Sequence, residues 1–580
     1  MGSIGRQDPA DVQTARSKIA EHPRDSCIDS QTKVLIVGGG PTGLTTAILL
    51  ANHGIASIVV ERHVSRLGQP KAHAINPRSL EILKQAGLNT KQLRSLGAHP
   101  CDADMVRFAQ SMSGLEFGYL PYERQGDDTK TMTPEPLFNI PQPVLEEFLS
   151  HVVEQNHMIT MWRGAQFENT SEKSATGLSS TILDRATGTT VEVHSKYLLL
   201  CDGANSRSRS KVGVSLGTLP GHPDITLHHV SVHIQADLTQ FKSGTLWFFM
   251  SATRQGTFIC YDRKSSWVFV MNYDAQIVPK ERFTEEYCRT QIDEAIGEPT
   301  SYKVLSIVCW TTKPQIADTY RSKELPQAFL LGDAAHVFPP TGGLGVNTGI
   351  ADAHNLVWKI NAVENGWARS DFLDTFGTER RPIAIANARQ SALNQQKIYK
   401  LIARTFAPDA SDEELLHEPE IRQKLEAAIK DNTDHFDSIN LQIGYVYGQT
   451  SHEPCDVYTP RCIAGARLPH CWIQMNGRTC SSLDLIDGQH FLIITGAHFS
   501  ADTPNGLNQL ENNQIPIVIY QLDKDFSMQD KGWIETVGLD TDSSAVLIRP
   551  DQHIVARCQT IAEIESSLAR LFSNSYVSKT

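Results

Sequence analysis

Glycines at three fixed positions, Gly38, Gly40 and Gly43, carry the clearest chemistry in this 580-residue chain. Gly38 permits a tight turn, Gly40 lets bare backbone approach a pyrophosphate, and Gly43 allows a helix to pack closely on a sheet. Pro41 and Thr42 complete the loop, and the helix they open would aim free N–H groups and its positive dipole end at phosphates. Glu61 stands where an acid binds a ribose 2′-hydroxyl. Arg62 beside it either meets the adenine or phosphate side of a ligand or is an ordinary solvated arginine. This is dinucleotide chemistry, and it does not choose among dinucleotides. Farther on, Asp333 closes an apolar run and can either accept bonds from ligand hydroxyls or cap a helix. Gly342, Gly343 and Gly345 would bring bare backbone against a flat ligand and open a helix at Val346, whose dipole can stabilise negative charge. The imidazole of His73 has the ordinary basicity for proton abstraction near neutral pH; a solvent-facing loop histidine is the plainer alternative.

The elements around these residues read coherently. Residues 34–37 and 58–60 are short β-branched apolar runs, as buried strands are, and 44–52 between them reads as a helix closed by Gly54. Strand, helix and strand in under thirty residues make a βαβ unit with a parallel sheet. Pro143 opens an amphipathic helix, and 197–200 and 329–331 are further buried strands. From 228 to 273 short strands rich in Val, Phe and Trp predict an antiparallel sheet. A helix is predicted from about 345 to 364, with more to about 404. A third unit begins near 464, with strands at 491–495, 515–520 and 546–549 and a closing helix at 561–572.

Two segments take the reading past "dinucleotide". Cys201-Asp202-Gly203-Ala204-Asn205-Ser206-Arg207-Ser208-Arg209 resembles the Asp-Gly motif of class A flavoprotein aromatic hydroxylases. Gly332-Asp333-Ala334-Ala335-His336, followed by Pro339 to Asn347, resembles that family's second FAD motif. The resemblance implies an α/β fold of para-hydroxybenzoate hydroxylase type: a Rossmann-like FAD-binding domain, an inserted antiparallel-sheet substrate domain and a C-terminal thioredoxin-like α/β domain. The expected boundaries are a flexible tail at 1–31, an FAD-binding domain at 32–215 and 320–405, a substrate domain at 216–319, a helical connector at 406–460 and the last domain at 461–580. By the same resemblance Asp333 contacts the ribityl chain, Pro340, Gly343, Gly345, Val346 and Asn347 lie beside the isoalloxazine, and Lys71, Gln142, Asp202 and Arg209 touch FAD. For Asp202 a purely structural turn stays open, and for Gln142 a surface helix start. Arg78 either approaches FAD or pairs with Glu81.

The resemblance also implies the reaction. NAD(P)H reduces FAD, O2 forms a flavin C4a-hydroperoxide, and an oxygen passes to a phenolic or polyketide-type aromatic. Segment 71–81 resembles the phenol and chlorophenol hydroxylase branch, where an aspartate occupies the position aligned with His73. Arg263 aligns with a substrate-side arginine, but Met271 stands where that branch places a tyrosine, a departure from a simple phenol pocket. Trp247, Phe249, Phe258, Tyr261, Trp267 and Phe269 are either sheet core or pocket lining. The last domain matches at 465–470, 482–485 and 547–551, yet it has no Cys-x-x-Cys, which argues against thiol exchange. A homodimer is a further expectation of the family.

Composition narrows the rest. A net charge of -12 argues against nucleic-acid binding. Eleven cysteines without metal spacing read as reduced thiols in a cytoplasmic protein, and no metal site is expected. No secretory signal and no 18-residue apolar run is present. Two other readings remain at this point: Baeyer–Villiger or epoxidising chemistry on the same scaffold, and a non-catalytic FAD-binding module.

Overall fold

The computed structural model describes residues 30–65, 68, 70–174, 177–250, 255–405, 419–449, 454–497, 499, 515–539 and 544–573. Strand β1 (Ser30–Val37) leads into helix α1 (Pro41–Asn52) and β2 (Ser57–Glu61). Helix α2 (Pro77–Gln85) and strands β3 (Met105–Ala109) and β4 (Glu116–Pro121) come next. Then follow α3 (Gln142–Gln155), β5 (Ile159–Arg163), β6 (Ala165–Ser174), β7 (Gly177–Asp184) and β8 (Thr190–Leu200). Strands β9 (Leu227–Ala236), β10 (Leu246–Met250), β11 (Gln255–Asp262), β12 (Ser266–Tyr273) and β13 (Tyr302–Thr312) precede β14 (Ala328–Leu330). Helices α4 (Gly345–Glu364), α5 (Thr375–Thr405) and α6 (Pro419–Lys430) lead to the last unit. It holds β15 (Phe491–Thr495), β16 (Ile517–Gln521), β17 (Ala545–Ile548), β18 (Ile554–Cys558) and α7 (Ile561–Phe572).

The first sheet has the order β5-β2-β1-β8-β7-β6, with β14 also on β8. Its heart is parallel: Val34 faces both Ser57 and Tyr197 in register. Crossover helices cover parallel sheets, so these strands are apolar on both faces, and Val34 to Ile36 and Leu198 to Leu200 are fully buried. Helix α1 and helix α4 pack on each other against this sheet. Every residue of α4 from Asn347 to Ala362 is buried, which makes it the central post of the molecule.

The second sheet runs β13-β9-β12-β11-β10-β3-β4. It corrects the boundary read from sequence: β3 and β4, at 105–121, belong to this sheet although they fall inside the segment expected to build the first unit. The joint is a parallel pairing of β3 with β10, Phe108 opposite Phe248, inside an otherwise antiparallel sheet. Trp247, Phe249, Phe258, Trp267 and Phe269 form this sheet's core with Cys288 and Ile292 of the covering helix Glu285–Ile296. Each such large side chain contributes on the order of 1.5–3 kcal/mol by leaving water. The last unit is a mixed four-stranded sheet, β16-β15-β17-β18, the thioredoxin-like part of the fold. The expected tail falls almost wholly outside the described residues, although Ser30 and Gln31 already pair with β8. Of the expected connector, 406–418 and 450–453 lie outside them, and the rest is α6 plus short helical turns. Among the described residues no helix is long and apolar enough to cross a membrane.

Candidate active site

The first glycine loop has the geometry its residues demand. Gly38 has φ +111°, and a Cβ there would lie 2.4 Å from the Cys201 carbonyl oxygen. At Gly43 a Cβ would lie 2.0 Å from the Gly38 carbonyl oxygen. At Gly40 it would meet nothing within 4 Å, so the backbone faces an open cradle. Gly40 caps α1, Pro41 is its first residue, and Thr42 packs against Gly332 and Gly349. The N–H groups of the first turn have no acceptor inside the helix and point into the cradle. Glu61 closes one side: its carboxylate accepts from Gly39 N at 2.8 Å and His63 N at 2.9 Å, leaving lone pairs for a ribose. Arg62 turns outward to His63 and gives its carbonyl to Arg185.

The other two motifs reach the same cleft from distant parts of the chain. Asp202 accepts from the Ser208 hydroxyl at 2.7 Å and its N–H at 3.3 Å, which stiffens the loop. Arg209 donates to the Ala334 carbonyl at 2.9 Å and so ties that loop to Asp333. The Asp333 carboxylate is open to solvent yet enclosed by protein, as a group at the bottom of a cleft must be. That enclosure raises its pKa above the ordinary carboxylate value, against the pull of His336 and Lys71. A Cβ on Gly345 would come within 3.7 Å of Asp333 Oδ1. Gly342 and Gly343 adopt positive φ, beyond Pro340. Gly345 and Val346 begin α4, leaving unpaired N–H groups at its start. Asn347 works through its side chain: Nδ2 donates to the carbonyls of Gly343 (2.7 Å) and Ala74 (2.9 Å), and Oδ1 accepts from Asn76 N at 3.0 Å. Gln142 holds the same neighbourhood, bonding Ala72 through backbone and side chain. The cradle, the acidic groups and the helix N-termini fit an FAD.

Beside that cleft His73 packs between two tyrosines, 5.7 Å from the Tyr122 ring and 5.8 Å from the Tyr261 ring. Its Nδ1 lies 2.9 Å from Asn139 Oδ1. Asn139 Nδ2 faces two acceptors, the Ala103 carbonyl and Gln125 Oε1, so its oxygen must face the imidazole. His73 therefore carries its proton on Nδ1 and presents a bare Nε2 lone pair. Burial lowers its pKa, partly restored by Asn139, and the ring is neutral at pH 7. Tyr261 donates to the Lys71 carbonyl at 3.0 Å. Phe108, Phe248 and Phe436 continue the aromatic wall from Tyr122.

A family model described as FAD binding domain matches residues 31–391. A second model, described as aromatic-ring hydroxylase, C-terminal, matches residues 461–575. The chain belongs to the FAD-dependent aromatic-ring hydroxylases. It is 27% identical to phenol 2-monooxygenase of Pseudomonas sp. (strain EST1001), over 94% of this chain and 92% of the relative. It is 29% identical to tetracenomycin A2 monooxygenase-dioxygenase of Streptomyces glaucescens, over 94% and 97%. The crystal structure of the flavin-dependent monooxygenase PieE, in complex with FAD and substrate, superposes with a TM-score of 0.86 at 26% identity. That match covers 94% of this chain and 99% of that one.

Arg263 sits differently from His73. The hydroxylase commits its guanidinium to Asp102 (3.0 Å) and to the carbonyls of Thr239 and Phe241, in the turn between β11 and β12. No described contact joins it to His73. Of the six aromatics singled out in the sheet, five are core, and Tyr261 alone reaches His73. Tyr122, Asn139, Phe248 and Phe436 were missed. Phe248 could have been found, because alternation puts it on the opposite face from Trp247 and Phe249. Arg78 takes the second of its two readings, pairing with Glu81 at 3.2 Å.

Proposed function

We propose that this hydroxylase uses NAD(P)H and O2 to hydroxylate a phenolic or polyketide-type aromatic. The Asn347 amide carries the reading, because it holds the His73 segment against the glycine loop that would face the flavin ring. When bound, FAD supplies the oxygen-activating redox chemistry. The chain's own residues do the rest. The Gly38–Gly43 loop and the start of α1 hold the pyrophosphate, and Glu61, with Arg62 at its flank, meets the ribose and adenine side. Asp333 takes the ribityl hydroxyls. Lys71, Gln142, Asp202 and Arg209 shape the cleft, and Pro340, Gly343, Gly345, Val346 and Asn347 line the ring side with a positive helix end. His73 Nε2 removes the phenol proton, raising electron density on the substrate ring, while the enclosed aromatic wall excludes water. Arg263 supports this wall by fixing Asp102 next to Ala103, the carbonyl acceptor for Asn139.

Cytoplasmic residence and a homodimer belong to the same proposal. The described cysteines are all free, in keeping with a reducing compartment. The test is His73→Asn assayed with a panel of phenols and fused polycyclic phenols. The variant should retain FAD and lose about 10²-fold in product formation, the lower end of general-base contributions. Wild-type turnover in the variant would remove His73 from the mechanism.

A further inference from the structure

We propose that Gln552, in the C-terminal unit, is a positioning residue for the reaction centre: through Arg78 it fixes both the His73 segment and the glycine loop that faces the cofactor. This rests on the functional reading above for the role of His73. Gln552 lies in the turn between β17 and β18 with φ +67°, a left-handed conformation that favours Gly or Asn, and it is only 2% exposed. Glycine would satisfy that backbone freely, so the turn alone does not account for a long side chain. Its reach does. Gln552 Oε1 accepts from Arg78 Nη1, and the neighbouring Asp551 carbonyl accepts from Arg78 Nη2 at 2.9 Å. An unusual backbone conformation kept for a cross-unit contact is the pattern expected where geometry serves function.

From Arg78 the contacts run unbroken to the site. Arg78 is the second residue of α2, after Pro77. Asn76 caps that helix through Ser79 N (2.9 Å) and gives its own N–H to Asn347 Oδ1. Asn347 in turn holds Ala74, next to His73, and Gly343 in the cofactor loop. Glu81, another partner of Arg78, is already claimed by Arg467 through two bonds of 2.6 and 2.9 Å, while its bond to Arg78 is 3.2 Å, and His354 Nδ1 stands farther off, 3.4 Å from Arg78 Nη2. The Gln552 and Asp551 acceptors are therefore what aims Arg78. The C-terminal unit, lacking a thiol pair, acts as a buttress that sets the active-site loops.

The test uses the full-length holoenzyme and its apoprotein. Gln552→Asn suits the left-handed backbone but is one methylene too short to reach Arg78. Gln552→Gly relaxes the backbone and removes the side chain, and Gln552→Glu keeps both length and acceptor. Three readouts apply: thermal melting, FAD affinity of the apoprotein by flavin fluorescence quenching, and product formed per NAD(P)H consumed. Q552N and Q552G should melt at or above the wild-type temperature, bind FAD about ten-fold more weakly and couple less than half of the NAD(P)H consumed to product. Q552E should restore both properties. Wild-type FAD affinity and coupling in Q552N and Q552G would overturn the proposal. So would losses in all three variants that merely track lowered melting temperatures. FAD titration needs no substrate, so weakened binding in Q552N beside a wild type that hydroxylates no phenol would sink the functional reading alone.

Discussion

At the scale of single residues, the site depends on which nitrogen of His73 is free and on where a methyl group can fit. Burial lowers the imidazole pKa from its ordinary 6.5, with Asn139 opposing, so the base form predominates at pH 7 and is lost on acidification. The acid limb of kcat/KM should therefore lie on the acid side of that of an ordinary imidazole, and the His73→Asn enzyme lacks it. The glycines give a second, opposed pair of outcomes. Gly40→Ala places its Cβ in the open cradle, so melting should be unchanged while FAD affinity falls at least about ten-fold. Gly43→Ala drives a Cβ to 2.0 Å from a backbone oxygen, so it should cost stability outright, on the order of 1–3 kcal/mol. Thermal melts and FAD titration of the two variants separate these effects. The tight turn at Gly38 and Gly43 was legible because local spacing demands it; Asp202, Asp333 and His73 were singled out only through the family resemblance. The setting of Arg263 was not legible, because its partners Asp102, Thr239 and Phe241 come from elsewhere in the chain.

At the scale of elements, the chain leaving β4 through Tyr122 ends in a clamp on the segment that supplies Phe436. Glu123, at φ +52°, accepts from Ser438 N, Ser438 Oγ and Gln442 Nε2. Burial pushes its carboxyl up to about 7; Asp437 adds to the rise, and the hydrogen bonds from Ser438 and Gln442 oppose it. The folded chain thus binds this proton more tightly than the unfolded chain does, and stability falls as pH rises from the ordinary 4.5 through about 7. Glu123→Gln should remove that loss, raising stability at pH 8 by up to about 3 kcal/mol and leaving it nearly unchanged at pH 4.5, as melts across that range would read. Elements themselves were largely legible. Short apolar runs at 34–37, 58–60 and 197–200 marked the parallel strands β1, β2 and β8, and the helix predicted from about 345 to 364 is α4. What local pattern could not supply was partner choice: nothing in 105–109 announces a pairing with 246–249.

At the scale of the whole molecule, buried charges fasten the last unit to the first. Arg549 binds Glu379 at 2.7 and 3.0 Å and also grips Asp551, while Lys359 reaches Glu379 at 2.7 Å. Burial works against the ionised Glu379, but Arg549 and Lys359 outweigh it and hold its carboxyl at about 2. Burial takes the Lys359 amine down to about 8, with Glu379 opposing. Removing one partner leaves an uncompensated buried charge, so Glu379→Gln should cost about 3–5 kcal/mol at pH 7. The contribution of Glu379 is present above pH 4.5 and lost as pH falls toward about 2, so the gap from wild type should narrow over that range in denaturant melts. Arg549-Pro550-Asp551 is the turn that leads from β17 to β18, and its anchoring role depends on an acid 170 positions earlier. The assembled molecule, with three motifs converging beside a neutral histidine, is built to place one oxygen atom on an aromatic ring. The most direct test is mass spectrometry of the product formed with NAD(P)H under 18O2. One 18O atom per molecule of phenolic product, with FAD bound to the enzyme, is the predicted result. Product oxygen drawn from water, or protein that takes up no FAD, would contradict it.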